Sequence, residues 1–367
     1  MKTLGEIFEI GSGGTPSKTH PEYYDGNIPW VKTGDLKDEY LYSVEDCISE
    51  EGLNNSSAKM YPSGTVLIAM YGATIGATSI LKFDACTNQA CAAFKPCEEV
   101  LPEYLYYFLR SKKQKFISDG VGGAQPNISA GYLKKVSIDI RNIKEQEKIV
   151  TVLDKLNGII QKRQNEVDEL DELIKARFVE LFGDVATEDY KYETKKLGDV
   201  AAVGSSHRVF TSEFVEEGIP FYRGTEIGEL ANGQEPSDPY YISEEHYNRL
   251  ANDETKPRVG DLLMPSICNK GQVWMVDTEE PFYYKDGRVL CISPDREIYN
   301  PKYLQYFMRV KTEVEYPKMG SGSTFTEFKI FLLKDFDILT PPRHVQDEFT
   351  AFVKQVDKSK VVALKAA

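Results

Sequence analysis

The sequence has no CxxC pair, only four histidines and two tryptophans, and no apolar run near the roughly 20 residues that span a bilayer. Each absence removes a class of protein. The six cysteines, Cys47, Cys86, Cys91, Cys97, Cys268 and Cys291, stand at no metal-ligand spacing, so free and partly buried thiols are expected and no metal is. The first residues, MKTLGEIFEIGSGG, lack the basic-then-apolar pattern of a signal peptide, and a cytoplasmic location is expected. The Asn-x-Ser matches beginning at Asn54, Asn55 and Asn127 carry no meaning without a secretory route.

Catalytic signatures are missing as well. There is no GxxxxGK[ST] phosphate loop, no HExxH and no GxSxG, so no catalytic residue and no cofactor is nominated. Asp238-Pro239-Tyr240-Tyr241 falls one proline short of the Asp-Pro-Pro-Tyr stretch that amino-methyltransferases use, and no glycine-rich cofactor loop precedes it. Asp295, Glu327 and Lys329 supply the residue types of a metal-dependent nuclease, but at long spacing and in the second half only. Gly11, Gly13 and Gly14 lead into Thr15-Pro16 where a dinucleotide fingerprint would start a helix, so a tight turn is expected there.

What is present is a long chain with material for real cores: 367 residues, 41% hydrophobic and 11% aromatic, enough for about two domains. The net charge of −13 opposes general affinity for nucleic acid. It is unevenly spread: residues 1–142 carry 14 Lys and Arg against 17 Asp and Glu, while 183–342 carry 18 against 28. A basic groove can coexist with such an acidic back, because net charge is a surface average.

The chain repeats itself. PEYLYYFLR at 102–110 returns as PKYLQYFMR at 301–309, and Leu4-Gly5, Ile28-Pro29, Gly64 and Gln146 have counterparts in Leu197-Gly198, Ile219-Pro220, Gly260 and Gln346. Both copies place Gly-punctuated apolar runs before a helix that starts with proline, which predicts α+β domains rich in loops. The tyrosines and phenylalanines at 104, 107 and 108 and at 303, 306 and 307 have helical spacing, and core is the favoured place for them.

A helix of about 37 residues is expected between the copies, capped by Asn142 and Glu145 and ended by Gly183. Ile149, Leu153, Leu156, Ile160, Arg163, Val167, Leu170, Ile174, Arg177 and Leu181 step by four and three, which is heptad spacing for a face that meets another helix. After Pro341-Pro342 a shorter helix offers Phe349, Val353 and Val356 at the matching places. The expected organisation is a domain over 1–142, a long helix over 143–183, a second domain over 184–342 and a short helix over 343–367. Antiparallel pairing of the two helices would relate the domains by an approximate two-fold axis.

The motifs GSGGTPSK at 11–18, NIPWVKTGDL at 27–36, YGATIG at 71–76, TNQACAAFKP at 87–96 and QPNIS at 125–129, followed by KEQEKIVTVLDKL at 144–156 and ELIKARFVELFGD at 172–184, resemble the specificity subunit of type I restriction-modification systems. The resemblance covers essentially the whole chain and rests on the order, spacing and duplication of short motifs. It implies a non-catalytic subunit with two target-recognition domains, each reading half of a bipartite DNA site through the major groove. It also implies helices that act as a spacer and dock two methyltransferase subunits, with ATP-driven restriction subunits completing the complex. Roughly 50 Å of helix corresponds to about 15 base pairs, which suits two half-sites around an unread gap.

Side chains able to form paired hydrogen bonds with base edges are the candidate readers. The first copy nominates Lys18, Lys32, Thr33, Asn88, Gln89, Gln125 and Asn127, with Tyr71 and Thr74 beside them. The second nominates His207, Arg208, Arg223, Asn269, Lys270, Arg288 and Thr324. Each of these positions reads equally well as a solvent-facing loop residue or a local turn former. A competing function for the whole chain is a protein-binding scaffold whose duplicated domains grip a symmetric partner.

Overall fold

The computed structural model describes residues 1–120, 127–251, 255–319 and 326–365. It divides into two compact units, residues 1–161 and 162–367.

In the first unit, Val66–Ala69 is the central strand of a five-stranded sheet ordered Ile10–Ser12, Cys91–Phe94, Val66–Ala69, Thr78–Leu81, Tyr40–Leu41. All pairs are antiparallel except the last, where Tyr40 lies beside Ile80 in parallel register. Successive strand residues point to opposite faces, and here both faces are covered. Val66, Ile68, Ile80, Ala92 and Phe94 pack in one core with Leu105 and Leu109, while Leu67, Ala69, Leu81, Cys91 and Ala93 pack in another with Val31 and Tyr61. That explains why VLIA is an unbroken apolar run rather than an alternating one. A smaller sheet runs Cys47–Ile48, Ile28–Val31, Ala85–Thr87, Met60–Tyr61, with its middle pair parallel.

The second unit repeats this plan. A four-stranded antiparallel sheet is ordered Ala201–Gly204, Val289–Pro294, Leu262–Pro265, Trp274–Met275. Leu262, Met264, Leu290 and Ile292 face one core, and Leu263, Trp274 and Val289 face another. Ile219–Tyr222 pairs in parallel with Tyr283–Tyr284, as Ile28–Val31 does with Ala85–Thr87. The copies diverge after that strand: the first makes a short turn at Thr33–Asp35, and the second an eight-residue helix, Gly224–Ala231.

Each copy contains an aromatic helix and is trailed by a longer one. In the first copy these are α1, Pro102–Ser111, and α2, Ile143–Phe182; in the second they are α3, Pro301–Glu315, and α4, Arg343–Lys365. Proline opens α1 and α3 because the missing N–H lies where no helical partner exists. Asn142 accepts from the Glu145 N–H at 3.0 Å and donates to its carboxylate at 2.9 Å, which starts α2. Gly183, at φ 93°, ends it in the left-handed conformation that only glycine adopts cheaply.

Within the second unit the last turns of α2 run antiparallel to α4. Lys360 bonds Asp171 at 2.6 Å, and Arg177 bonds Glu348, so rising numbers on one helix meet falling numbers on the other. Between them, Ile174, Phe178 and Phe182 pack with Phe349, Val353 and Val356 and with Tyr303 and Phe307 of α3. Phe178 has ring contacts with Tyr303, Tyr306, Phe307 and Phe349, and Phe182 lies 4.8 Å from the Tyr303 ring. The aromatic spacing of α3 is thus core. The buried face passes through Phe178 and Phe182 rather than one residue earlier through Arg177 and Leu181. A straight α-helix has 3.6 residues per turn, and its apolar face drifts from a strict heptad.

Candidate nucleic-acid interface

In the first copy, backbone bonds stitch the candidate loops together. Asn88 N donates to Val31 O at 2.9 Å, Met70 N to Ala90 O at 2.8 Å, and Ile128 N to Met70 O at 3.0 Å, while Tyr71 and Asn127 form an isolated bridge. Lys32, Thr33, Tyr71, Thr74, Asn88, Gln89 and Asn127 therefore sit on connected loop ends. The 11–18 loop is drawn in by Gly14 N donating to Thr87 O at 2.9 Å and by the Trp30 indole donating to Gly14 O at 3.0 Å. A Cβ on Gly13 would lie 1.7 Å from Thr87 O, and one on Gly14 2.2 Å from the Ser57 hydroxyl, so these glycines serve close approach of loops. Lys18, at the end of this loop, is exposed.

Several of these side chains already have local work. Lys32 is paired with Asp46 and lies 5.9 Å from the Trp30 ring centre. The Asn88 carbonyl accepts from Ala90 N at 3.1 Å, the Gln89 carbonyl accepts from the Thr15 hydroxyl, and the Thr74 hydroxyl donates to Tyr71 O at 3.1 Å. Tyr71, 44% exposed, offers a ring to solvent. Gln125 lies outside the described residues, as does Thr324 of the second copy.

The second copy gathers its loops by a different set of bonds. The Ser206 hydroxyl donates to Tyr284 O, His207 N to the Tyr283 hydroxyl at 2.9 Å, Lys285 N to Tyr222 O at 2.9 Å, and Ser266 N to Arg288 O at 2.8 Å. Arg208, Lys285 and Arg288 line one open hollow of about 560 Å³ with Phe210, Phe221 and Asp286. Lys285 was not nominated from the sequence. Its place in the turn Lys285-Asp286-Gly287-Arg288, with Gly287 at φ 64°, was the available signal. Asn269 and Lys270 are exposed, and Gly271 beside them has φ 61°, as Gly76 has φ 80° in the matching loop of the first copy.

Carboxylates hold two of the nominated arginines. Arg223 donates through Nε to both Glu226 oxygens at 3.1 Å and through Nη2 to Asp238 O at 3.0 Å, and its guanidinium lies 4.1 Å from the Tyr240 ring centre. Glu226 is only 1% exposed, and its hydrogen bonds push the Arg223 pKa up. Arg223 thus also anchors the start of Gly224–Ala231. Arg288 is paired with Glu327, which Lys329 also engages at 2.6 Å. Of the three residues with nuclease-like chemistry, Glu327 and Lys329 are here in an ion-pair cluster with Arg288, while Asp295 accepts from Glu297 N at 2.9 Å instead.

The nominated helix-face residues fall into two environments. Ile174, Phe349, Val353 and Val356 are buried in the second unit, with Leu170 and Leu181 partly buried against them and Val167 half-buried. In the first unit Ile149, Leu153, Leu156 and Ile160 line an open groove of about 510 Å³ with Tyr104, Tyr107 and Phe108. The Tyr107 hydroxyl donates to Asp154 at 2.7 Å across it. Among the described residues no group of three or more His, Cys, Asp or Glu side chains is placed to hold a metal ion, and no helix is long and apolar enough to cross a membrane.

One scaffold, present twice, carries two unlike sets of polar loops, which is the build of a two-module recognition protein. Comparison with known proteins finds similar chains. The type I restriction modification DNA specificity domain matches residues 1–169. The MjaIX specificity subunit of Methanocaldococcus jannaschii is 28% identical over 96% of this chain and 85% of its own, and the EcoR124I/EcoR124II specificity subunit of Escherichia coli is 33% identical over 43% of this chain and 41% of its own. Among solved structures, a type I restriction-modification S subunit from M. genitalium is similar in fold at 15% identity (TM-score 0.50, covering 100% of this chain and 91% of that one). A chain from a study of assembly and conformational transition of the type I R-M system is similar at 18% identity (TM-score 0.60, 99% and 91%). Residues 1–169 thus match the DNA specificity domain of type I restriction-modification systems, and nearly the whole chain is similar to a specificity subunit of such a system.

Proposed function

We propose that this chain gives a type I complex its target sequence without itself catalysing a reaction, residues 1–142 reading one half of a bipartite, asymmetric DNA site and residues 184–342 the other. The observation that carries this is the pairing of a duplicated scaffold with divergent loops. Four strands of the main sheet and the helix after it recur in both copies, while GSGGTP, WVKTGDL and their counterparts GSSHRVF and FYRGTEI differ. Sequence is read by hydrogen bonds to base edges, so unlike loops on like scaffolds read unlike half-sites.

Lys18, Tyr71, Gln89 and Asn127 in the first copy, and His207, Arg208, Asn269, Lys270 and Arg288 in the second, are the exposed candidates to meet bases and phosphates. Lys285 joins them through the hollow it shares with Arg208 and Arg288. The segments 143–183 and 343–367, which hold α2 and α4, act as the spacer and dock two methyltransferase subunits, with restriction subunits joining in the cytoplasmic complex. Modification of adenine is the partner's chemistry.

The experiment is methylation mapping. The chain is co-expressed with its methyltransferase partner and host DNA is sequenced for modified adenines. A split motif is expected, one half changing when residues 1–142 are exchanged for those of a relative and the other when 184–342 are exchanged. An active methyltransferase that leaves no split motif defeats the proposal.

A further inference from the structure

The repeat conserves a polar residue where an apolar one would be expected. Gln146 and Gln346 are both 0% exposed, and each is the fourth residue of its long helix. The Gln146 amide nitrogen donates to Glu99 O and to Arg141 O, both at 2.8 Å, and its carbonyl accepts from Leu101 N at 2.9 Å. Gln346 donates to Ile298 O at 3.0 Å and Pro341 O at 2.8 Å and accepts from Asn300 N at 2.8 Å. The same three segments are joined in both copies: the approach to the aromatic helix, the N–H of the residue just before that helix, and the turn into the long helix.

A buried amide with both N–H groups and its oxygen engaged fixes direction as well as position, because its three bonds lie in one plane. An apolar side chain would fill the space without that constraint. We propose that Gln146 and Gln346 are positioning residues that set the angle at which each long helix leaves the domain before it, and thereby the gap between half-sites that the subunit accepts. This rests on the two-reader proposal above.

The lever is long. A 40-residue helix measures about 60 Å, so a rotation of about 5° at its root moves the other end by about 5 Å. One base-pair step is about 3.4 Å. The displacement is comparable to a base-pair step, so loosening the root is expected to relax the gap that is accepted, with the loops that meet the bases untouched.

The two roots are not equally reinforced. Asn300 also donates to Asp347 at 2.7 Å, and Arg343 donates to Asp347 at 2.9 Å and to Arg296 O at 2.7 Å. The first copy has the Asn142–Glu145 cap in that place. Gln146 should therefore matter more than Gln346.

The test is methylation mapping of Gln146→Met and Gln346→Met in the full chain with its methyltransferase partner, scored by gap length, with thermal unfolding of each variant alongside. For Gln146→Met the expected result is unchanged half-site bases, about tenfold less modification at the wild-type gap, and new modification at gaps one base pair shorter and longer. Gln346→Met should show the same redistribution more weakly. If Gln146→Met does not accumulate folded protein, Gln346→Met carries the same decision. A gap profile identical to wild type, or a uniform loss at every gap that tracks the fall in folded protein, overturns the inference. A wild-type chain with no split motif overturns the two-reader proposal and this inference together, whereas a split wild-type motif with an invariant gap in both variants overturns this inference alone.

Discussion

In the first half of α2, Ile149, Leu156 and Ile160 are 37%, 50% and 52% exposed; in its second half, Ile174, Phe178 and Phe182 are 4%, 2% and 0% exposed. Both halves carry apolar residues at helical spacing, and both lie near a helix that begins Pro-x-Tyr-Leu. The second half is enclosed by α3 and α4, while the first borders an open groove beside α1. Heptad spacing marks the face of a helix that can be buried; it does not say whether a given stretch of that face is buried.

The largest effect that would test this contrast is on stability. Phe178→Ala removes a ring with five aromatic neighbours and should cost about 3–5 kcal/mol, whereas Leu156→Ala, already half in solvent, should cost about 1 kcal/mol or less. Urea unfolding midpoints of the two variants decide it. Equal losses would mean that the groove beside α1 is covered in solution.

A second contrast concerns the cations on the loops. In both copies a carboxylate neutralises a nominated base, Asp46 at Lys32 and Glu327 at Arg288. Under the proposed function, Glu327→Gln should free Arg288 to meet phosphate, strengthening non-specific duplex binding several-fold and steepening its salt dependence by up to about one counterion. Fluorescence anisotropy across a salt series measures this. An unchanged slope would show that Arg288 does not meet DNA.

The smallest effect separates the two helix roots by pH. Hydrogen bonds from Asn300 and then Arg343 hold the Asp347 carboxyl below the usual carboxylate range. A lowered folded-state pKa contributes stability above the unfolded value, near 3.9, and loses it as pH falls through the folded value. Asp347 is half exposed, so its share is at most about 1 kcal/mol. Wild type and Asp347→Asn should differ by that amount at neutral pH and converge as the pH falls through the lowered folded-state value; a gap that persists in acid would assign the difference to packing.

Much of the fold was legible because duplication and periodicity are local signals. The match of 102–110 to 301–309, the cap at Asn142, the proline starts and Gly183 all act through nearby backbone. The interface was less legible. Arg223 looks like a guanine reader until Glu226 is seen almost fully buried beneath it, and Lys285 becomes notable only beside Arg208 and Arg288. Gln146 and Gln346 were visible as a matched pair, but their common role depends on carbonyls 47 and 48 residues earlier in the chain.

The sequence by itself determined that this protein is two copies of one α+β domain, each trailed by a helix, because patterning, caps and repeats are written within a few residues of where they act. Only the tertiary structure decided which stretch of α2 is buried, which loop cations are already paired, and how each long helix is fastened at its root. Those outcomes depend on partners far apart in the chain, where desolvation and hydrogen-bond geometry, rather than residue type, set the energy.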